Sequence, residues 1–130
     1  MIIDSSAVLA ILFAEEDALD YARAIEAAET CRMSAANWLE TAIRVDRGGD
    51  PIASNAFDDL VREAGVSVEA VTAAQAEIAR RAYRAYGKGT GHPAGLNFGD
   101  CFTYALAKEI REPLLFKGDD FSRTDLTPAL

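Results

Sequence analysis

Short apolar runs alternate with longer amphipathic stretches along this chain. Met1-Ile2-Ile3 stops at Asp4, and Ser5 and Ser6 then lead into Ala7-Val8-Leu9-Ala10-Ile11-Leu12-Phe13. That order predicts a strand, a helix cap and a buried helix. Leu19, Ala22, Ala24, Ile25 and Ala28, with charges between them, predict a second helix over 17–28. Thr30-Cys31-Arg32-Met33 offers a short strand, and Ser34 is placed to cap a third helix carrying Trp38, Leu39, Ala42 and Ile43. Gly48-Gly49 ends that helix, and Pro51 suits the first turn of the next. This fourth segment is amphipathic through Ile52, Ala56, Leu60 and Val61, and Gly65 stops it before a strand at Val66-Ser67-Val68. Thr72 begins a long helix to Tyr86 with Ile78 and Ala82 inward. The following run, 87–95, is too rich in Gly and Pro to be regular and is expected to be the most mobile part of the chain. Asn97 caps a last helix containing Cys101, Phe102, Ala105, Leu106 and Ile110, and Pro113-Leu114-Leu115-Phe116 is the final strand, before Gly118-Asp119-Asp120. Strands alternating with helices imply a parallel sheet between helical layers, an α/β fold.

Composition narrows the classes without choosing among them. With 130 residues, half of them hydrophobic, the chain suffices for one domain with its own core, spanning 1–130, with no repeat or linker. No apolar stretch approaches the roughly 18–20 residues of a membrane span, and the N-terminus lacks the basic region of a signal peptide, so a cytoplasmic protein without membrane contact is expected. Cys31 and Cys101 have no CxxC or His spacing and read as buried, reduced thiols. The net charge of −8 argues against duplex binding through a broad basic face. All of it lies in residues 1–65, where five Arg face thirteen acids, while 66–130 balance. An acidic first half suits a basic partner protein.

The acids with chemical promise are Asp4, Glu40, Asp100 and the pair Asp119/Asp120. Asp4 and Asp119/Asp120 fall after strands, where open parallel sheets collect ligands. Asp100 sits in the first turn of its helix, and Glu40 lies beside the apolar stripe of the third helix rather than opposite it. Each has an ordinary alternative: a helix cap for Asp4, a capping box from Asn97 for Asp100, an i,i+4 pair with Arg44 for Glu40, and turn chemistry for Asp119/Asp120. Converging buried carboxylates would need a compensating charge, which a hard divalent cation, Mg²⁺ or Mn²⁺, supplies.

Four segments, taken in order, carry a resemblance: Ile2-Ile3-Asp4-Ser5-Ser6-Ala7, Ser34-Ala35-Ala36-Asn37-Trp38-Leu39-Glu40, Leu96-Asn97-Phe98-Gly99-Asp100-Cys101, and Leu114-Leu115-Phe116-Lys117-Gly118-Asp119-Asp120-Phe121. Together they resemble a PIN domain, most closely the VapC ribonuclease toxins of toxin–antitoxin operons. The resemblance implies a three-layer α/β/α sandwich with a short parallel sheet and a Mg²⁺- or Mn²⁺-dependent endoribonuclease. It implies Asp4, Glu40 and Asp100 as metal-site acids; Asp119 is preferred as the fourth, with Asp120 kept as a further ligand. Ser6 resembles the small hydroxyl residue that supports such sites. A homodimer and a VapB-type antitoxin are implied too, the antitoxin's C-terminal segment placing a basic side chain in the acidic pocket. The apolar face of the second helix and the surroundings of Trp38 are candidates for its groove, although Trp38 also reads as plain core.

Metal-assisted hydrolysis needs no general-base histidine, and the sole histidine, His92, cannot supply the His pair of a metal-independent ribonuclease. Arg44, Arg47, Lys88, His92 and Lys117 are candidate RNA contacts around an acidic pocket that would otherwise repel phosphate. Arg80-Arg81-Ala82-Tyr83-Arg84-Ala85-Tyr86 mixes cations and aromatics as single-strand binders do, or is an ordinary amphipathic helix end. A response-regulator-like domain would want paired acids after the first strand, and Asp4-Ser5-Ser6 does not provide them. A PIN-like interaction module without nuclease activity remains the alternative.

Overall fold

The computed structural model describes residues 1–130. Four short strands, β1 (Ile2–Ile3), β2 (Arg32–Ser34), β3 (Ser67–Glu69) and β4 (Leu114–Leu115), form one sheet in the order β3-β2-β1-β4. Every pairing is parallel, with Ile2 opposite Arg32 and Leu114, and Met33 opposite Val68. Six α-helices connect them: α1 (Ser5–Leu12), α2 (Ala18–Ala27), α3 (Ala35–Asp46), α4 (Pro51–Glu63), α5 (Ala73–Tyr86) and α6 (Phe98–Ile110).

Side-chain alternation along the strands divides the core in two. Ile2 and Leu114 point to a cluster completed by α5 and α6 through Ala79, Ala82 and Leu106, and by Phe121 from the turn after β4. Ile3 and Leu115 point the other way, to Val8, Ile25, Met33, Val45 and Phe57 from the first half of the chain. One residue of register separates the two faces, which gives the three-layer α/β/α sandwich. Arg32 ties the sheet across its width by pairing with Glu69 at 3.0 Å and Glu112 at 3.1 Å. Cys31 and Cys101 are both buried and free.

Helix starts follow local chemistry. Asp4, Asp50 and Thr72 accept backbone N–H groups of the first turns of α1, α4 and α5, and Asn97 with Asp100 forms a full capping box on α6. Ser34 departs from expectation: it has cap backbone geometry, but its hydroxyl is buried and makes no hydrogen bond.

The inward face of α3 also differs. Leu39 and Ile43 are more than half exposed, and the buried stripe is Asn37, Thr41 and Val45. Two polar residues can take that stripe because each donates a hydrogen bond, Thr41 to the Asn37 carbonyl (2.8 Å) and the Asn37 amide to the Gly99 carbonyl (2.9 Å), while Asn37 Oδ1 is buried without a partner. On α4, Phe57 is the buried anchor, while Ile52 faces solvent.

The Gly-rich run after α5 is tied down at both ends. Lys88 N–H donates to Leu96 O (2.8 Å), Leu96 N–H to Tyr86 O (2.9 Å), and Ala94 and Leu96 are buried in the core. Buried apolar side chains and paired backbone groups make local opening costly.

Candidate active site

In the order β3-β2-β1-β4 the chain moves outward from β1 through β2 to β3, then returns to β1's other side as β4. The carboxyl end of β1 is therefore the topological switch point, where a crevice opens in such sheets. Asp4 stands there, 4% exposed. Its backbone N–H extends the β1–β4 ladder to Leu115 O (2.9 Å). Its Oδ2 accepts from Ser6 N–H (2.9 Å) and Ser6 Oγ (2.6 Å), and its Oδ1 from Thr103 Oγ1 (2.7 Å). Ser6 Oγ in turn accepts Lys117 N–H (3.0 Å), which locks the end of β4 to the start of α1. Asp4 is thus both a helix cap and a carboxylate fixed from three sides, and the two roles do not compete.

Asp100 reaches the same crevice from α6. The α6 capping box holds it, with its Oδ2 accepting Asn97 N–H at 2.9 Å. Burial pushes its carboxyl up to about 7, and the charges of Asp4, Asp120 and Glu40 push in the same direction, against the Asn97 hydrogen bond. Glu40 lies on α3. The residue is exposed, but its carboxylate sits over Gly99: a Cβ there would lie 2.5 Å from Oε2 and 2.9 Å from Oε1. The glycine two residues after the α6 cap is therefore what lets α3 bring its acid in, and the Asn37 amide bonded to Gly99 O fixes the approach. Desolvation raises the Glu40 carboxyl above its ordinary range, helped by the Asp4 charge.

Among the neighbouring aspartates, Asp120 is the one whose charge acts on Asp100; Asp119 contributes its backbone carbonyl to Ser122 Oγ (2.6 Å). Asp4, Glu40, Asp100, Asp119 and Asp120 make no ion pair with any Lys or Arg. The i,i+4 pair of Glu40 with Arg44 is therefore not formed. Carboxylates that raise one another's proton affinity with no protein cation between them suit a hard cation. No three of them form a ready-made cage.

The expected RNA contacts divide. Arg44 and Arg47 continue the Glu40 side of α3 by one and two turns, and with Lys88 they are exposed and unpaired. Lys117 is committed elsewhere: its ammonium pairs with Glu15 and, at 2.7 Å, with Asp17. His92 braces its own loop, accepting Ala94 N–H on Nδ1 (3.1 Å) with its ring edge-on to Tyr86. Thr103 and Asn37 were not legible as site residues. Each stands on an otherwise core-facing stripe, where a polar residue is the only signal, and a weak one.

A parallel sheet with unpaired carboxylates at its switch point is a place where α/β proteins bind ligands, and the class of protein follows from comparison with relatives. The PIN domain model matches residues 1–126. The Mycobacterium tuberculosis ribonuclease VapC28 is 54% identical over 130 residues, covering 100% of this chain and 98% of that one. Ribonuclease VapC42 of the same species is 48% identical over 129 residues, 99% of this chain and 98% of the other. The crystal structure of M. tuberculosis VapC20, a sarcin-ricin loop cleaving toxin, superposes with a TM-score of 0.73 at 19% identity, covering 97% of this chain and 95% of that one. The chain belongs to the PIN-domain family, among the VapC ribonucleases, and is an RNA-cleaving toxin. Enzymes of this group depend on divalent metal and pair with antitoxins.

Proposed function

We propose that residues 1–130 act as one PIN domain that hydrolyses RNA phosphodiester bonds with Mg²⁺ or Mn²⁺ held by Asp4, Glu40, Asp100 and Asp120. The observation that carries this is geometric: Asp4 is buried at the carboxyl end of β1, Glu40 lies over Gly99 next to Asp100, and none of these acids pairs with a Lys or Arg. Asp120 takes the fourth place in preference to Asp119, because its charge is felt at Asp100. Bound there, a divalent cation neutralises charge on the scissile phosphate and acidifies an attacking water. The protein's own part is positioning. Ser6 and Thr103 hold Asp4 in one orientation, the α6 capping box holds Asp100, and the Asn37–Gly99 contact sets where Glu40 enters. Arg44, Arg47 and Lys88 are free to hold flanking phosphates.

The test compares wild type with Asp4→Asn and Asp100→Asn on RNA in Mg²⁺, Mn²⁺ and EDTA. Cleavage should need metal and fall at least about a hundredfold in each variant, since each removes a charge that positions the reacting groups. Cleavage that survives chelation and both substitutions would refute the assignment. Asp119→Asn and Asp120→Asn separate the last pair, with loss expected for Asp120.

The same reading extends to partners. The α2–α4 groove, about 780 Å³, has Ile25 and Leu60 in its walls and Glu26, Asp59 and Glu63 around it. An amphipathic, basic segment of a VapB-type antitoxin suits that lining. Trp38 packs against Phe57 at 6.1 Å and is not part of the groove. A homodimer and a cytoplasmic site of action complete the proposal. No helix is long and apolar enough to cross a membrane.

A further inference from the structure

Beside the carboxylates lies a groove whose chemistry is opposite to theirs. It runs between α5 and α6, encloses about 670 Å³, and is almost wholly apolar, with Ala79 and Cys101 at its base. Its rim carries Arg80, Tyr83, Lys88 and Phe98, and no acid lines it. In a chain of net charge −8 that is unusual, and neither Arg80 nor Lys88 is in an ion pair. Phe98 is 79% exposed, the most exposed large hydrophobic of the chain, and it immediately precedes Gly99-Asp100, so groove and carboxylate site share the first turn of α6.

Both aromatics are held ready. Phe98 meets Phe102 edge-on, ring centroids 4.9 Å apart and planes at 88°. Tyr83 donates its hydroxyl to Lys88 O (2.6 Å), and its ring lies against Gly87, where a Cβ would come within 2.6 Å of Cδ2. Gly87 therefore fixes the Tyr83 ring against the backbone at the groove's mouth. Fixed aromatic faces with free cations beside them are what single-stranded nucleic acid binds: bases stack and phosphates find positive charge, independently of sequence.

We propose that this groove is a nucleobase subsite. An unpaired RNA base adjoining the scissile phosphate stacks on Phe98 and Tyr83, and Arg80 and Lys88 hold the neighbouring phosphates. The proposal rests on the metal-nuclease reading for its direction, since the groove and Asp100 share the first turn of α6 although Asp100 itself does not line the groove. It deepens that reading by assigning the α5–α6 groove to one unstacked base of the bound RNA. A protein occupant is less suited, because an apolar groove whose only charged residues are cations matches a polyanion with aromatic faces.

The test is fluorescence titration of the full chain in EDTA with a short single-stranded oligoribonucleotide containing one 2-aminopurine, whose emission is quenched by stacking. Phe98→Ala should weaken binding about tenfold and abolish the quench, while Phe98→Trp restores both. Arg80→Ala with Lys88→Ala should lower the slope of log affinity against log salt by about 1.4. Mn²⁺-dependent thermal stabilisation should be the same in Phe98→Ala as in wild type. If Mn²⁺ stabilises wild type but Phe98→Ala binds the oligoribonucleotide as wild type does, the subsite is refuted while the metal site stands. If Mn²⁺ has no effect on wild type, the metal reading fails instead, and loss of the quench in Phe98→Ala still supports the base subsite. A sedimentation shift from dimer to monomer in Phe98→Ala, with RNA binding unchanged, would assign the groove to a second copy and overturn the proposal.

Discussion

Gly99→Ala should separate catalysis from folding more cleanly than removal of any acid. The added Cβ would sit 2.5 Å from Glu40 Oε2, 2.9 Å from Oε1 and 3.0 Å from Cδ. Ordinary contact begins near 3.4 Å, so the carboxylate must retreat by about 1 Å. The far end of an exposed side chain can do so for about 0.5–1.5 kcal/mol of rotamer strain. Alanine returns up to about 1 kcal/mol of helix propensity, less in a first turn than in the interior. Net stability by urea unfolding should therefore stay within about 1 kcal/mol of wild type. Activity should not, because an acid displaced by about 1 Å typically costs on the order of a hundredfold. Glu40→Asp in the Gly99→Ala background shortens the side chain by one methylene and should recover part of the loss. The assay is single-turnover RNA cleavage in Mn²⁺ alongside the unfolding curves. Cleavage within about threefold of wild type would show that Glu40 need not occupy the position over Gly99. A stability loss above about 3 kcal/mol would show that the α3–α6 backbone contact gave way instead of the side chain.

Three further outcomes follow from the same geometry. The Asp100 carboxyl, ordinarily at 3.8, titrates at about 7 in the metal-free fold, so the stability it contributes is fully present below about pH 4 and lost as pH rises through 7. Asp100→Asn should thus change metal-free stability little near pH 4 and raise it increasingly toward pH 8 in chemical unfolding series; a gain that does not depend on pH would contradict this. Thr103→Val removes the hydroxyl that donates to buried Asp4 and should cost about 1.5–3 kcal/mol, with Thr103→Ser close to wild type, as measured by urea midpoints. Phe57→Ala should cost about 3–5 kcal/mol, because the ring is 2% exposed and packs with Trp38, whereas Ile52→Ala on the same helix should be near neutral; equal losses in thermal melts would reverse the assignment of faces on α4.

What the sequence determined by itself was mostly local. Asp4, Asp50-Pro51, Thr72 and Asn97-Phe98-Gly99-Asp100 encode helix starts through side-chain-to-backbone bonds spanning two or three residues, and those starts are where they were expected. The alternation of apolar strands with helices was enough for the parallel α/β class, and the ordered acids were enough for the family. Only the tertiary structure decided which side of each helix matters. On α3 the buried stripe is polar because Asn37 finds the Gly99 carbonyl 62 residues away, a partner no periodicity encodes. Lys117 pairs with Glu15 and Asp17, a hundred residues earlier, and Thr103 gained its role from Asp4 at the other end of the chain. The loop at 87–95 looked loose from its glycines and proline, but its order comes from Ala94 and Leu96 entering the core. Asp119 and Asp120, as neighbours, share every local signal, and only the turn after β4 brings the Asp120 charge to bear on Asp100.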